Sequence, residues 1–387
     1  MDITNRSIHA DEYRAHAKIN LTLNITAKRP DGYHELESIM QAVSLYDTVR
    51  VWLGVGRPPT PSHAASAPAA PAASTPPAAS APHTAHAHHA GPSPGGLHTY
   101  GQLLGSQPTG GLSDFIPSHK HIPVSLNCFV SIDSTDNYIL SQGIPFGREN
   151  TVYRAAEEFF ARQDIKFDDS FYVRIHMTKR IPAGAGLGGS SSDAAAVLLA
   201  LNDIAGGAHG IPGFAILPRK KLLDAALGVG ADVPFCLLYG PDRASSRMAF
   251  ATGVGEKMRR IGGPRPKYTI LLVNPRFELS TEQVFKDYAL AGIAEINNLT
   301  KLAQDMIKSQ NGMWDRCFNT VERPMAALHP GIGRIKSALL DAGAVCAVMS
   351  GTGPTVFSLF EDGAKARSAA DLIGAGGSWT AVCGFAD

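Results

Sequence analysis

Hydrophobic and polar residues alternate in two segments of the chain, and this period of two predicts β-strands. In the first segment the aliphatic positions run from Ile19 to Ile25, and the positions between them are Asn20, Thr22 and Asn24. In the second segment, FYVRIHM, the apolar positions are Phe171, Val173, Ile175 and Met177. The first pattern predicts a half-buried strand, and the second predicts a strand directly before a glycine-rich stretch.

Other segments have the composition of helices and turns. Ala194–Leu201 is rich in alanine and leucine, which favour helix. The sequence of residues 206–227 indicates a loop followed by another helix. Asn150 precedes the apolar pattern of 152–161 and is a residue type that commonly caps a helix. Pro30-Asp31-Gly32 predicts a turn, because proline restricts one backbone dihedral and glycine permits the other.

A glycine loop begins the stretch RIPAGAGLGGSSSDAAAVLLALN (180–202) and lies between the predicted strand at 171–177 and the predicted helix at 194–201. Glycines let the backbone turn sharply and bring its N–H groups close to a ligand. The start of a helix adds unpaired N–H donors and a partial positive charge. The order strand, glycine loop, helix therefore predicts a phosphate-binding site.

Two common phosphate loops do not fit this stretch. A Walker A loop needs a lysine before Ser or Thr, and this loop has none. Gly184, Gly186 and Gly189 match the dinucleotide pattern GxGxxG, but a Rossmann unit requires a second parallel strand after the helix. The chain continues with a loop and a helix at 206–227 instead, so the context excludes the Rossmann interpretation.

Residues 56–123 differ from the rest in composition, since Ala, Pro, Ser, Gly and His dominate them. Such a segment has too few large apolar side chains to offset the entropy of ordering it. It is predicted to be a long disordered insertion. Six histidines lie between His63 and His98, but without neighbouring Cys or carboxylate ligands a tether is favoured over a metal site.

Excision of about residues 58–109 is expected to leave the fold and most of the activity in place, because a segment of this composition contributes no core. Thermal unfolding and turnover of the shortened chain measure this. Loss of protein from solution or of a cooperative unfolding transition would show that the segment packs against the rest.

Composition and charge restrict the class of protein only mildly. Of 387 residues, 44% are hydrophobic and 18% charged, and the formal net charge of +1 favours neither nucleic acid nor membrane as a partner. The five cysteines are scattered, without a CxxC pair, which is typical of reduced thiols. These features indicate an intracellular enzyme.

The stretch from Pro182 to Ala195, PAGAGLGGSSSDAA, resembles the central motif of the GHMP kinases, which act on galactose, homoserine, mevalonate and phosphomevalonate. In that superfamily the loop wraps the triphosphate of ATP. The resemblance implies an α+β, two-domain GHMP-kinase fold with ATP and substrate sites in the interdomain cleft. The ATP-binding domain would span 1–250, including the insertion, and the C-terminal domain 251–387.

Further segments resemble the superfamily members that phosphorylate 4-diphosphocytidyl-2-C-methyl-D-erythritol, in the non-mevalonate route to isoprenoid precursors. These segments are AHAKINLTLNITAKRPDGYHELES, GVGADVPF, STEQVFKDYAL and LLDAGAVCAVMSGTGPTVFSLF. They cover nearly the whole chain outside the insertion. The chain departs from the pattern at His16, where the family usually has proline, and after Asp232, where the chain is slightly longer.

The resemblance implies a role for each matching residue. Asp232 is the expected catalytic base, and Lys18 is the expected cation beside that base and the reacting hydroxyl. The ATP-binding set consists of Pro182, Ala183, Gly184, Ala185, Gly186, Leu187, Gly188, Gly189, Ser190, Ser191, Ser192 and Asn150. The alternative for Asn150 is a helix cap. Ser350–Pro354 is expected to form a second glycine loop that closes on the site.

The expected cytidine pocket consists of Asn20, Tyr33, His34, Val254 and Phe285, with Tyr33 and Phe285 stacking on the base; for Phe285 the alternative is a core aromatic. ATP is the expected phosphoryl donor, accompanied by Mg²⁺, and no residue is assigned as a protein ligand of that metal. The expected partner is a small-molecule substrate, without nucleic acid or membrane. The expected location is the cytoplasm, or the plastid stroma in a plastid-bearing source.

Two rival interpretations stay open at this level. The first is another GHMP kinase, acting on mevalonate or homoserine, although Tyr33 and His34 favour a cytidine-linked substrate. The second is a catalytically silent scaffold, against which the presence of both Lys18 and Asp232 argues. A panel of substrates tests whether the chain is another GHMP kinase. An assay of ATP turnover tests whether it is a silent scaffold.

Overall fold

The computed structural model describes residues 6–9, 12–30, 32–55, 126–163, 171–207, 214–239, 247–262, 267–290 and 314–386. The predicted insertion at 56–123 lies outside the described residues. Twelve strands lie in the described ranges: β1 Arg6–His9, β2 Tyr13–Lys28, β3 His34–Val55, β4 Asn127–Asp133, β5 Phe171–Thr178, β6 Met248–Gly253, β7 Lys257–Ile261, β8 Thr269–Asn274, β9 Phe318–Asn319, β10 Cys346–Met349, β11 Val356–Phe360 and β12 Trp379–Cys383.

Helices occupy the intervening parts of the described chain: α1 Asn137–Leu140, α2 Thr151–Phe160, α3 Gly189–Gly206, α4 Arg219–Val229, α5 Val233–Tyr239, α6 Thr281–Leu290, α7 Glu322–Leu328, α8 Pro330–Asp341 and α9 Gly363–Ala375, with a 3₁₀ turn at Trp314–Arg316. The strands predicted at 19–25 and 171–177 are confirmed as β2 and β5. The helices predicted at 152–161, at 194–201 and within 206–227 are confirmed as α2, α3 and α4.

The first sheet is built around two long strands, β2 and β3. They pair antiparallel after a turn in which the Gly32 N–H donates to the Arg29 carbonyl over 3.1 Å. The order across the sheet is β4-β5-β3-β2-β9, while β1 and β6 pair with other stretches of β3 and β7 pairs with β6. The pairs β4–β5 and β2–β9 are parallel, and the others are antiparallel.

The prediction that β2 is half-buried is wrong. The aliphatic face from Ile19 to Ile25 is buried, but so are the polar side chains of Asn20, Thr22 and Asn24. The buried polar side chains have partners within β2 and β3: the Asn20 amide bonds to Lys18 and Ser38, and the Thr22 hydroxyl accepts from the Ile39 N–H. Gly351 lies over Asn20, since a Cβ atom on Gly351 would be 3.2 Å from Asn20 Oδ1. Buried polar groups with such partners avoid most of the cost of desolvation.

The second sheet, in the order β10-β11-β8-β12, is antiparallel throughout. Its apolar residues share one core with those of β2 and β3, since Leu21 and Val43 belong to the same buried cluster as Leu272 and Phe357. The chain end returns to the first sheet, where the Ala386 N–H donates to the Ala42 carbonyl. The domain boundary expected near residue 250 stays a prediction.

Helix α3 is the central helix of the N-terminal part of the chain. It packs against β2, β3, α2 and α5, and every residue from Ser192 to Asn202 is buried. Small alanines let these neighbours approach closely, which explains why the helix is apolar nearly all round. Gly188, at the N-cap, has a left-handed backbone with φ of +66°. The packing of α3 therefore determines where the glycine loop ends.

Candidate active site

The first glycine loop bonds to the rest of the protein through its carbonyl groups. The carbonyls of Ala185, Gly186 and Leu187 accept from the Thr355 N–H, the Ser350 hydroxyl and the Lys18 N–H respectively. Within the described part of the chain, the N–H groups from Gly184 to Ser191 have no protein acceptor. Unpaired N–H donors at the start of a helix form an anion-binding site. The loop is therefore built to accept an anion such as a phosphate.

The predicted ATP-binding residues divide into two groups. Pro182, Ala185, Leu187, Gly189 and Ser192 are buried. Of these, Ala185, Leu187 and Gly189 can offer a main-chain N–H to an anion, because proline has none and the Ser192 N–H donates to the Gly188 carbonyl. Gly184 and Ser190 are exposed, and Ala183, Gly186, Gly188 and Ser191 are half-buried. The accessible surface of the loop thus consists of backbone, together with the hydroxyl groups at the start of α3.

The second glycine loop, Ser350–Pro354, packs directly on the first. A Cβ atom on Gly186 would lie 2.2 Å from the Ser350 carbonyl oxygen, and Gly186 has φ of +73°. A Cβ atom on Gly351 would lie 3.2 Å from the Gly186 carbonyl oxygen and 3.5 Å from Lys18 Nζ. Glycine is needed at both positions because the two backbones approach this closely.

Lys18 joins the first loop to Asp232. Its N–H donates to the Leu187 carbonyl over 2.9 Å, and its stem lies against Gly188, where a Cβ atom would come within 2.9 Å of Lys18 Cγ. Its ammonium is 3.0 Å from Asp232 Oδ2. The Lys18 side chain is 5% exposed and that of Asp232 37%. The structure thus brings the two predicted catalytic residues together, with the carboxylate accessible to a ligand and the cation buried behind it.

Asn20 orients the Lys18 ammonium. Its Oδ1 accepts from Lys18 Nζ over 2.7 Å, and its Nδ2 donates to the Ser38 hydroxyl over 2.7 Å. The Ser38 hydroxyl in turn donates to the Thr22 carbonyl. Asn20 therefore lies beside Lys18, and its expected place in a cytidine pocket stays a prediction.

His34 and Phe285 stack on each other. Their ring centroids are 4.8 Å apart and the rings are inclined by 12°. Phe285 is half-buried at the edge of the C-terminal core, whereas Tyr33 is 63% exposed. Partial burial, assisted by the Lys28 charge, lowers the pKa of His34 below its ordinary value. A neutral imidazole has one N–H donor and one acceptor nitrogen to offer to a ligand.

Val254 lies in the turn between β6 and β7, where its N–H donates to Glu256 over 2.7 Å. One neighbour of this turn is the Asp232 region, because a Cβ atom on Gly255 would be 3.7 Å from the Ala231 carbonyl oxygen. The other is the β2–β3 hairpin, through the pairing of Gly253 with Leu36. Val254 is thus positioned between the Asp232 turn and the strand that begins at His34.

Asn150 caps α2. Its Oδ1 accepts from the Val152 N–H over 3.0 Å and its Nδ2 donates to the Pro145 carbonyl over 2.7 Å. The next residue, Thr151, donates to the Ser190 carbonyl, so this cap adjoins the start of α3. The capping role proposed as the alternative is the one that the geometry shows, and the adenine contact stays a prediction.

Residues that sequence reasoning missed hold the two loops. The Gln142 amide accepts from the Ala183 N–H and donates to the Ala183 carbonyl. The Asn319 amide donates to the carbonyls of Met349 and Gly351, both over 2.7 Å. The sequence around Gln142 and Asn319 does not predict these contacts, because each side chain bonds to a loop that is distant in sequence.

A buried ion cluster underneath the first loop was also missed. Lys179 Nζ lies 2.5 Å from Asp47 Oδ2 and 2.5 Å from Asp193 Oδ2. Burial raises the pKa of the Asp193 carboxyl to about 7, and the Asp47 charge adds to the rise while Lys179 opposes it. Burial by itself would lower the pKa of Lys179, but the two carboxylates raise it above its ordinary value. The one feature of the sequence that could have indicated this cluster is that Lys179 and Asp193 lie on either side of the loop.

Comparison with known proteins gives the family. Residues 150–240 match the GHMP kinases N terminal domain and residues 290–377 match the GHMP kinases C terminal domain. A 4-diphosphocytidyl-2-C-methyl-D-erythritol kinase of Clostridium botulinum (strain Loch Maree / Type A3) is 30% identical over 355 residues, which cover 92% of each chain. This chain belongs to the 4-diphosphocytidyl-2-C-methyl-D-erythritol kinase family. It is therefore an ATP-dependent kinase with the α+β GHMP-kinase fold.

Other members of the kinase family agree with this assignment. A relative with the same name from Geobacter sulfurreducens is 30% identical over 369 residues, covering 95% of this chain and 96% of its own length. A crystal structure of 4-(cytidine 5'-diphospho)-2C-methyl-D-erythritol kinase is 26% identical with a TM-score of 0.58, over 97% of this chain and 99% of that one. In the described ranges, no helix has the length and apolarity needed to cross a membrane.

Proposed function

We infer that this chain transfers the γ-phosphoryl group of ATP to the 2-hydroxyl of 4-diphosphocytidyl-2-C-methyl-D-erythritol, a step in the non-mevalonate biosynthesis of isoprenoid precursors. The observation that carries the inference is the 3.0 Å pair of Lys18 and Asp232, held by a hydrogen bond to a loop whose N–H groups have no protein acceptor among the described residues. The relatives that match over more than nine-tenths of the chain have the corresponding name.

The geometry supports a direct transfer that relies on positioning. Phosphoryl transfer needs an anion-binding cradle, an acceptor for the hydroxyl proton and cations near the developing charge. The loop supplies N–H donors, the accessible Asp232 carboxylate accepts the proton, and the Lys18 ammonium stabilises the alkoxide as that proton leaves. Asn20 holds the ammonium in place through its 2.7 Å contact.

Mg²⁺ is proposed to arrive with ATP. It prefers oxygen ligands and usually keeps several waters while it binds phosphates and one or two protein groups. The exposed hydroxyl of Ser190 and the half-buried hydroxyl of Ser191 fit that preference. When bound, the ion neutralises phosphate charge in the transition state.

The cytidine is proposed to bind at the hairpin of β2 and β3. Tyr33 offers an exposed ring, and the neutral His34 offers both a donor and an acceptor to a base edge. Phe285 already stacks on an aromatic ring, that of His34, which supports its role as a platform. Val254 adjoins the same hairpin through β6. Mevalonate and homoserine have no base to occupy such a pocket.

Replacing Tyr33 by alanine is expected to raise the apparent KM for the cytidine-linked substrate about tenfold or more, because stacking contributes about 1–3 kcal/mol per base. Stacking stabilises ground state and transition state alike, so the change falls on KM rather than kcat. The KM for ATP should stay nearly constant, since its loop is separate. Steady-state kinetics with each substrate varied in turn measures both constants.

His34→Ala provides the comparison for this variant. Loss of a hydrogen bond to the base edge is expected to relax discrimination between cytidine- and uridine-linked substrates. If Tyr33→Ala raised the KM for ATP and left the KM for the cytidine-linked substrate unchanged, these residues would not form the cytosine pocket.

Turnover of a panel of alcohols with ATP and Mg²⁺ tests the proposed function itself. We expect efficient phosphorylation of the cytidine-linked methylerythritol and at most weak turnover of mevalonate and homoserine. Preference for either of the small alcohols would assign the chain to another GHMP activity, and absence of turnover with every alcohol would favour a scaffold.

A cytoplasmic location is part of the proposal. All five cysteines are free thiols, as is usual in reducing compartments, and the named relatives are bacterial. A small molecule is the proposed partner, and the absence of nucleic-acid binding stays a prediction.

A further inference from the structure

One buried ammonium connects the two ends of the first glycine loop. Lys179 directly precedes the loop, and its Nζ contacts Asp47 on β3 and Asp193 on α3. The other oxygen of Asp47, Oδ1, accepts from the N–H groups of Arg180, over 2.5 Å, and Ile181, over 2.9 Å. The chain before the loop and the helix after it are therefore fastened to the same three side chains.

The cluster is fully enclosed. The exposed fractions of the Lys179, Asp47 and Asp193 side chains are 5%, 0% and 4%. Two carboxylates share one ammonium, and Asp193 Oδ1 is buried with no hydrogen-bond partner among the described residues. An arrangement with an unsatisfied buried oxygen is costly for stability, and well-packed apolar residues of similar size would often be at least as stabilising. Stability of the fold is thus a weak explanation for the cluster.

Its position suggests a different role. A Cβ atom on Gly189, the first residue of α3, would lie 2.8 Å from Ile181 Cγ2 and 3.7 Å from Asp47 Oδ2. The two ends of the loop are consequently in contact with each other above the cluster. Any displacement of α3 relative to β3 would change the separation of these ends and hence the directions of the free N–H groups.

We propose that Lys179, Asp47 and Asp193 are positioning residues of the phosphate-binding loop, which hold its two ends at the separation that ATP requires. The proposal rests on the proposed function in taking ATP as the ligand of the loop. Because the three side chains are enclosed, they would act on ATP through the loop. The cluster acts by organising the N–H donors before ATP arrives, which lowers the entropy lost on binding.

The experiment compares three variants by the Kd of a non-hydrolysable ATP analogue, measured by calorimetry, and by the KM of the alcohol substrate. Asp193→Ala removes the contact to Lys179. Asp193→Asn keeps an acceptor oxygen for the ammonium. Asp203→Ala is the matched control, because Asp203 lies near the far end of α3 and also accepts a hydrogen bond, from Tyr13.

We expect Asp193→Ala to raise the Kd of the analogue about tenfold or more, Asp193→Asn to raise it less than about threefold, and Asp203→Ala to leave it within about twofold of wild type. The KM of the alcohol substrate should stay within about twofold in all three. The positioning role would be overturned if Asp193→Ala left the Kd of the analogue unchanged. It would also be overturned if the Kd of the analogue and the KM of the alcohol substrate rose by the same factor. If the wild type itself did not bind the analogue, the proposed function would fail instead.

Hydrogen exchange of the wild-type protein keeps the proposal testable if Asp193→Ala does not fold. A loop that is organised in advance should exchange slowly at the N–H groups of Arg180, Ile181 and Ala183 without nucleotide, because Asp47 accepts from the first two and Gln142 from the third. Fast exchange there in the absence of ATP, followed by protection on binding, would show that ATP orders the loop and that the cluster does not.

Discussion

Asp232→Asn is expected to lower turnover of the cytidine-linked substrate by about 10²-fold or more, the scale of a lost general base. The asparagine keeps the shape of the side chain but cannot take up the hydroxyl proton at neutral pH. Binding of an ATP analogue should be nearly unchanged, since the loop N–H groups do not depend on this carboxylate. Single-turnover kinetics together with calorimetric binding separates the two quantities.

The matched control is Asp224→Asn, a half-buried aspartate of α4 that precedes the Asp232 turn. It removes one carboxylate from the same region without touching Lys18, and its turnover should lie within about twofold of wild type. Near wild-type turnover in Asp232→Asn would show that another group accepts the proton.

Gly186→Ala is expected to abolish most of the activity, with a loss of about 10²-fold or more in kcat/KM for ATP. The new methyl group would lie 2.2 Å from the Ser350 carbonyl oxygen, so the two glycine loops must separate. A left-handed backbone adds strain of roughly 1–2 kcal/mol for a residue with a Cβ atom. A shift of the loop of about 1 Å misdirects the phosphate relative to Asp232, for which losses of about 10²-fold are typical.

Gly377→Ala separates strain from steric overlap. Gly377 lies in the turn between α9 and β12 and has φ of +93°, but a methyl group added there would meet no atom of the described chain within 4 Å. The substitution should lower the midpoint of thermal unfolding slightly and leave kcat/KM for ATP within about twofold. Equal losses of activity in both variants would mean that backbone strain, rather than contact between the loops, explains the effect.

Local patterns in the sequence were enough to predict the elements around the loop and the chemical character of the site. Alternation at 171–177, alanines at 194–201 and the glycines between them predicted strand, loop and helix, because backbone preferences and side-chain periodicity act within a few residues. The resemblance of the motifs indicated Lys18 and Asp232, which the fold brings to 3.0 Å of each other.

The burial and the partners of the polar residues depend on the three-dimensional fold. Alternation marked Asn20 and Thr22 as the solvated face of β2, yet both side chains are buried, and Gly351, which is distant in sequence, lies within contact distance of Asn20. In the sequence nothing distinguishes Lys179 from other charged residues, whereas in the fold its ammonium contacts Asp47 of β3 and Asp193 of α3. Burial and hydrogen-bond partners arise from contacts distant in sequence, and a local pattern contains no information about which segment will supply them.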